Sequence, residues 1–264
     1  MKIFTIIFLL IALSAGQAFA HSIFAPEGKN LKVHWAVLQA KEGKMPEMAA
    51  ISSRTVAKFT PNEKGSYSLY GAIAKENHDL MRILEIYEDE QAYEIHRSSE
   101  GFKNFIEERK PILEKLTILP VEPVVLEQKI EGTGTSVAMV LAEVKPEKLD
   151  DFKNIIIQEM KRAVAEDDGV LGMFATAEQG ERKNFIHTLE IYKDEQAREK
   201  YLSSEKYQDF TKNANDFLIG FKVFENLPAK IILSRKGLHI DKKKFIFLNN
   251  KIQGEIYHER NDLS

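Results

Sequence analysis

The feature that most restricts this chain is an internal repeat. The segment Leu84-Glu-Ile-Tyr-Glu-Asp-Glu-Gln-Ala92 returns 105 positions later as Leu189-Glu-Ile-Tyr-Lys-Asp-Glu-Gln-Ala197. The same offset carries Ser98-Ser99-Glu100 onto Ser203-Ser204-Glu205, Phe105 onto Phe210 and Pro123 onto Pro228. Gly65 falls on Gly169 one position out of register, so a single-residue length change lies between these landmarks. The polar stretches Lys75–Asp79 and Glu178–Lys183 read as surface loops, where such a change costs least. A repeat of this length and quality means that one folding unit is used twice.

Each unit reads strand, helix, strand, strand, helix, strand. In the second copy Ser136–Val144 is strand-like, and Pro146 opens a helix whose apolar residues Leu149, Phe152, Ile156, Met160 and Ala163 step by three and four. That helix stops before Asp168-Gly169. Val170–Ala177 and Asn184–Tyr192 then form a hairpin, Asp194 caps a second helix, and Val223–Leu233 is the last strand. The first copy follows with the strand Leu31–Ala40, the helix Met45–Phe59, the hairpin Tyr67–Tyr87, a helix from Asp89 and the strand Leu116–Leu126. This is the order of a ferredoxin-like split βαβ unit. Helices cover one face of such a sheet and leave the other apolar, so the expected fold class is α+β, with two tandem βαββαβ units packed sheet to sheet.

The ends of the chain read differently. Lys2, the apolar run Ile3–Leu13 and the small-x-small pattern Ala18-Phe19-Ala20 have the form of a cleavable signal peptide. The expected divisions are a leader at 1–20, a first repeat at 21–129, a second at 130–234 and a C-terminal extension at 235–264. The product is then exported, periplasmic or secreted, with His21 as its first residue. No later stretch approaches the roughly 20 apolar residues of a membrane helix, so no span is expected in the mature chain. There is no Cys, which excludes disulfides and thiolate metal sites. With 37 basic against 40 acidic residues, no broad basic surface points to nucleic acid.

The pattern Glu-Ile-Tyr-x-Asp-Glu-Gln-Ala, followed by His96 and the Ser-Ser-Glu turn, resembles the antibiotic biosynthesis monooxygenase (ABM) superfamily. That superfamily includes quinol monooxygenase-like proteins and has a dimeric α+β barrel fold. The resemblance covers both repeats and implies a pseudo-dimer within one chain, open to further oligomerisation. It also implies oxidation of a small aromatic or quinol by dioxygen without metal or flavin. The alternative is a non-catalytic barrel that binds a small ligand. Haem-degrading relatives use an Asn on the first strand with a Trp and a His on the second helix. The first strand here has Ala36 and no Asn, so that activity is not expected.

Chemistry of this kind needs an apolar pocket and a base that helps to form a phenolate. His96, on the second helix where the family commonly has a histidine, is the first candidate base, and Tyr201 stands in its place in the second copy. Tyr87 and Tyr93 complete the candidate catalytic set. Trp35, His34, Glu85, Tyr192, Tyr201 and His187 are the candidate substrate contacts. Glu85 and its counterpart Glu190 interrupt apolar strands and face away from Leu84 and Ile86. Each candidate has a structural alternative: a packed helix histidine, a core aromatic or a paired strand carboxylate. His34 and Trp35 correspond to Ala138 and Met139, and His187 to Arg82. This asymmetry argues for at most one fully equipped site, with the first copy carrying more of the candidate groups.

Overall fold

The computed structural model describes residues 31–129, 134–226 and 230–234. The leader, the mature start at His21, the first boundary at 129/130 and the C-terminal extension therefore lie wholly or partly outside the described residues.

The first copy runs β1 (Lys32–Ala40), α1 (Met45–Arg54), α2 (Val56–Phe59), β2 (Ser66–Ile73), β3 (Leu80–Tyr87), α3 (Glu90–Ser98), α4 (Glu100–Arg109) and β4 (Leu113–Gln128). The second runs β5 (Ser136–Val144), α5 (Leu149–Glu166), β6 (Val170–Glu178), β7 (Phe185–Tyr192), α6 (Glu195–Leu202), α7 (Glu205–Asn215), β8 (Leu218–Phe224) and β9 (Lys230–Ser234). The strand order is β8-β5-β7-β6-β4-β1-β3-β2-β9, and every pairing is antiparallel.

The last strand of each copy joins the halves. Residues of β4 up to Val121 pair with β1, and from Val121 to Gln128 the same strand pairs with β6. β8 pairs with β5, and its continuation β9 pairs with β2 of the first copy. The two ends of the strand order are thus successive parts of one segment, and the sheet returns on itself as an α+β barrel. Closure removes most of the free edge that two separate four-stranded sheets would expose.

Strand alternation sorts the repeated motif. Leu84, Ile86, Leu189 and Ile191 point into the barrel, where they meet Val33, Trp35, Tyr70, Met139 and Phe174 from both copies. Glu85, Tyr87, Glu190 and Tyr192 point outward to the helices. Each copy also has its own helix-to-sheet core. Fully burying one large apolar side chain is worth about 1.5–3 kcal/mol, so neither copy can keep its inner face stable without the other.

The polar members of the motif hold the helices. Asp89 and Asp194 accept hydrogen bonds from the backbone N–H of Ala92 and Ala197, each at 2.8 Å, and start α3 and α6. Ser99 and Ser204 interrupt what the sequence suggests is one helix and cap α4 and α7. Ala92 and Ala197 pack against Gly65 and Gly169, where an added Cβ would come within 2.5 and 2.6 Å of the alanine Cβ. The first helix departs from the expected single span. The Thr55 hydroxyl donates to the Ile51 carbonyl at 2.6 Å, a back-bond that bends helices, and α1 ends there. Glu159 occupies the matching position, and α5 runs unbroken over 18 residues.

Candidate functional site

In the first copy the outward face of the sheet meets the helices through a dense polar and aromatic cluster. His34 and Glu85 face each other across β1 and β3, and the His34 Nε2 to Glu85 Oε2 distance is 3.1 Å. The Tyr87 hydroxyl donates to the same oxygen at 2.6 Å. From α3, His96 places Nδ1 2.7 Å from Glu63 Oε2, which also accepts from the Ser66 hydroxyl at 3.2 Å. The Tyr93 ring lies edge-on to His34 with centroids 5.0 Å apart. His34 and His96 are each only 1% exposed. Burial acts to raise the pKa of Glu85, but the contacts with His34, the charge of His96 and the Tyr87 hydrogen bond outweigh it and hold the carboxyl below its ordinary range.

The second copy has the same strand carboxylate in a different setting. A cavity of about 270 Å³ lies between its sheet and helices α5 and α7. Phe152, Ile156, Met160, Phe210 and Ala214 give it apolar walls, with Glu190, Glu159, Thr188, Tyr201 and Tyr207 as the polar and phenolic groups. Phe221 on β8 stands at its rim and is 63% exposed. Glu190 accepts from the Tyr192 hydroxyl at 2.6 Å and from Thr188 at 3.4 Å. Here burial dominates: it pushes the Glu190 carboxyl above its ordinary range, only partly offset by Tyr192, Arg198 and Thr188. The residue is half-buried because it faces the cavity.

The other carboxylate is already engaged. Glu159 accepts from the Tyr201 hydroxyl at 2.9 Å and from Arg162 Nε at 2.8 Å. Arg162 also reaches Glu166 at 3.1 Å, so this cation is used on the helix surface. Burial raises the pKa of the Tyr201 and Tyr207 phenols well above normal, reinforced by the carboxylate charges, and both remain protonated at neutral pH. Among these groups Glu190 is the carboxylate whose basicity is raised by burial.

The residues singled out in the sequence separate into three places. His34, Glu85, Tyr87, Tyr93 and His96 come together in the first copy, but none of them lines the cavity. Tyr201 lines it, and Tyr192 supports Glu190 from behind. Trp35 and His187 lie in the barrel, where their ring centroids are 5.9 Å apart across the copies. The Trp35 indole donates to Thr176 Oγ1 at 3.0 Å, and His187 Nε2 is 2.9 Å from Glu178 Oε1. Sequence reasoning placed the fuller set of chemical groups in the first copy, whereas the cavity is in the second. Glu159 and Tyr207, outside the candidate set, also line the cavity. Glu159 had a signal: it falls three residues after Ile156 on the apolar stripe of its helix, where a charge must be paired.

Two stretches of the chain, 33–108 and 135–213, match the family described as antibiotic biosynthesis monooxygenase. The chain belongs to this family. Both ABM segments contain the strand carboxylate and its tyrosine, so the Glu85–Tyr87 and Glu190–Tyr192 pairs are equivalent parts of two ABM units. Two solved structures, each described as a "putative monooxygenase", share the whole duplicated fold. The protein from Lactobacillus acidophilus is 15% identical with a TM-score of 0.72, covering 81% of this chain and 100% of its own. The protein from Fusobacterium nucleatum is 21% identical with a TM-score of 0.73, covering 82% and 100%. A structure described as an anthrone oxidase-like protein is 12% identical at a TM-score of 0.50, covering 81% and 98%. A search among curated protein sequences finds no match.

Proposed function

We propose that this ABM protein is an exported, cofactor-independent monooxygenase that oxidises a small phenolic or quinol-like aromatic with dioxygen in the cavity of its second copy. The observation that carries the reading is Glu190, a carboxylate with a raised pKa at an apolar cavity. A phenolic ring fits the walls, and its hydroxyl finds one basic acceptor away from bulk water. Glu190 takes the proton, Tyr192 and Thr188 steady the carboxylate, and the electron-rich ring is left to react with dioxygen.

For an anthrone-like substrate the reaction balances without a reductant. The ring methylene loses two hydrogens and gains one oxygen atom to become a carbonyl, and the second oxygen atom leaves as water. All four electrons that reduce dioxygen come from the substrate. The family membership supports the reaction class, and the cavity volume supports a ligand smaller than most drug-sized molecules, whose pockets run from roughly 300 to 1,000 Å³.

The test is oxygen uptake by the purified protein with a panel of quinols and anthrone. Substrate-dependent uptake is expected, with Glu190→Gln reducing turnover at least 100-fold while ring binding persists, the scale of losing a general base. Uptake unchanged in Glu190→Gln removes Glu190 from the chemistry. Saturable binding without uptake for any member of the panel turns the reading to the non-catalytic ligand-binding barrel.

A further inference from the structure

Matched positions on the space between sheet and helices differ in both directions: Ala36, Ser52 and Thr55 of the first copy correspond to the larger Val140, Ile156 and Glu159 of the second. Leu38, Ile83 and Arg109 in the first copy correspond to Ala142, Thr188 and Ala214 in the second, and the latter three all line the cavity. These three exchanges run the other way and give the second copy the smaller side chain. The largest is Arg109 against Ala214, on the matching helices α4 and α7.

Arg109 is unusual in its own right. It is only 7% exposed, and among the described residues its side chain has no ion pair and no hydrogen bond, but none of its nitrogens is both fully buried and unpartnered, so the guanidinium keeps access to water. Its guanidinium lies over the Phe105 ring, 4.6 Å from the centroid. Buried cations are normally paired, because a charge removed from water without a partner is costly. Here burial lowers the pKa of the Arg109 guanidinium, and the charge of Glu85, the counterpart of Glu190, opposes that shift. Arg109 thus stands at the position of the cavity residue Ala214, beside Phe105, the counterpart of the cavity wall Phe210.

We infer that Arg109 is an internal plug that closes the first copy's ligand site, helped by Leu38 and Ile83, so that the chain carries one open site and the first copy serves as scaffold. The strand carboxylate survives in both copies, and the difference in capacity comes from what fills the space beside it. The ligand class is the neutral, planar aromatic of the second copy. This inference rests on the reading of that cavity as the ligand site, but the volume it concerns can be probed without any turnover.

Xenon enters apolar cavities irrespective of chemistry and reports them directly in pressurised crystals. The wild type is expected to take xenon in the second copy only, and Arg109→Ala to show a second xenon site beside Phe105 and Glu85. In solution, titration with 1-naphthol is expected to move from one site per chain in the wild type to two in the Leu38→Ala/Arg109→Ala variant. Ala214→Arg is the reciprocal change and is expected to abolish xenon and naphthol binding in the second copy, with an unchanged circular dichroism spectrum. Xenon in the first copy of the wild type, or none there in Arg109→Ala, overturns the plug. Should Arg109→Ala fail to fold, Ala214→Arg decides: retained binding rejects the inference, and loss supports it. Absence of oxygen uptake would remove the catalytic reading and leave these occupancies as they are.

Discussion

Replacing the two equivalent carboxylates by their isosteric amides is expected to change stability in opposite directions. Glu85 is a charge that its surroundings want: His34 is 3.1 Å away, Tyr87 donates at 2.6 Å, and Arg109 is within electrostatic reach. Removing one partner of a buried pair costs roughly 3–5 kcal/mol, and an amide that keeps one hydrogen bond recovers part of it. Glu85→Gln should therefore lose about 2–3 kcal/mol at pH 7, or some 5–10 °C in Tm for a chain of this size. Glu190 is a charge that its surroundings resist, and Glu190→Gln keeps the Tyr192 hydrogen bond while shedding the buried charge. A gain of about 0.5–1 kcal/mol is expected, the scale of other substitutions that relieve functional strain.

The pH dependence separates the two as well. The folded pKa of Glu85 is depressed, so its contribution is present above the unfolded value of about 4.3 and is lost as pH falls through the folded value. The deficit of Glu85→Gln should then shrink in acid. The folded pKa of Glu190 is raised, so the stability of its protonated form is complete below the unfolded value and is lost as pH rises through the folded one. The advantage of Glu190→Gln should be absent in acid and grow towards neutrality. Urea unfolding followed by circular dichroism at several pH values measures both. Equal signs at pH 7, or a Glu190→Gln gain that persists unchanged in acid, would refute this account of the two environments.

Two further outcomes concern the repeated framework. Gly169→Ala would set a Cβ 2.6 Å from that of Ala197, an overpacking expected to cost about 1–3 kcal/mol in urea unfolding, with partial recovery in the double variant Gly169→Ala/Ala197→Gly. Asp194→Ala removes the cap of α6 and should cost about 1 kcal/mol, whereas Asp194→Asn should cost less, since its side-chain oxygen still accepts from Ala197.

What was legible in the sequence is what nearest neighbours decide. The Asp caps and the alternation that turns Leu84 and Ile86 away from Glu85 depend on residues close in the chain or in one hairpin. Those rules recur in both copies, which is why the duplication, the α+β class and the outward face of the carboxylates could be read directly. The break of the first helix at Thr55 could not, because it depends on how a hydroxyl back-bond is tolerated by the packing around it.

The position of the cavity belonged to the tertiary structure alone. His96, Tyr87 and Tyr93 carry more recognisable chemistry than anything at the matching positions, yet folding places them in a packed cluster with His34, Glu63 and Glu85 that does not line the cavity. His34 Nδ1 and Glu63 Oε1 are left there without hydrogen-bond partners among the described residues. Cavity volume depends on Ala142, Thr188 and Ala214 meeting from two strands and a helix, more than 70 residues apart at the extremes. The basicity of Glu190 depends in turn on the water and counter-charges that this meeting excludes. Sequence determined that one unit was used twice, and three-dimensional packing decided where the cavity beside Glu190 lies, because volume and desolvation are properties of surroundings and not of residues.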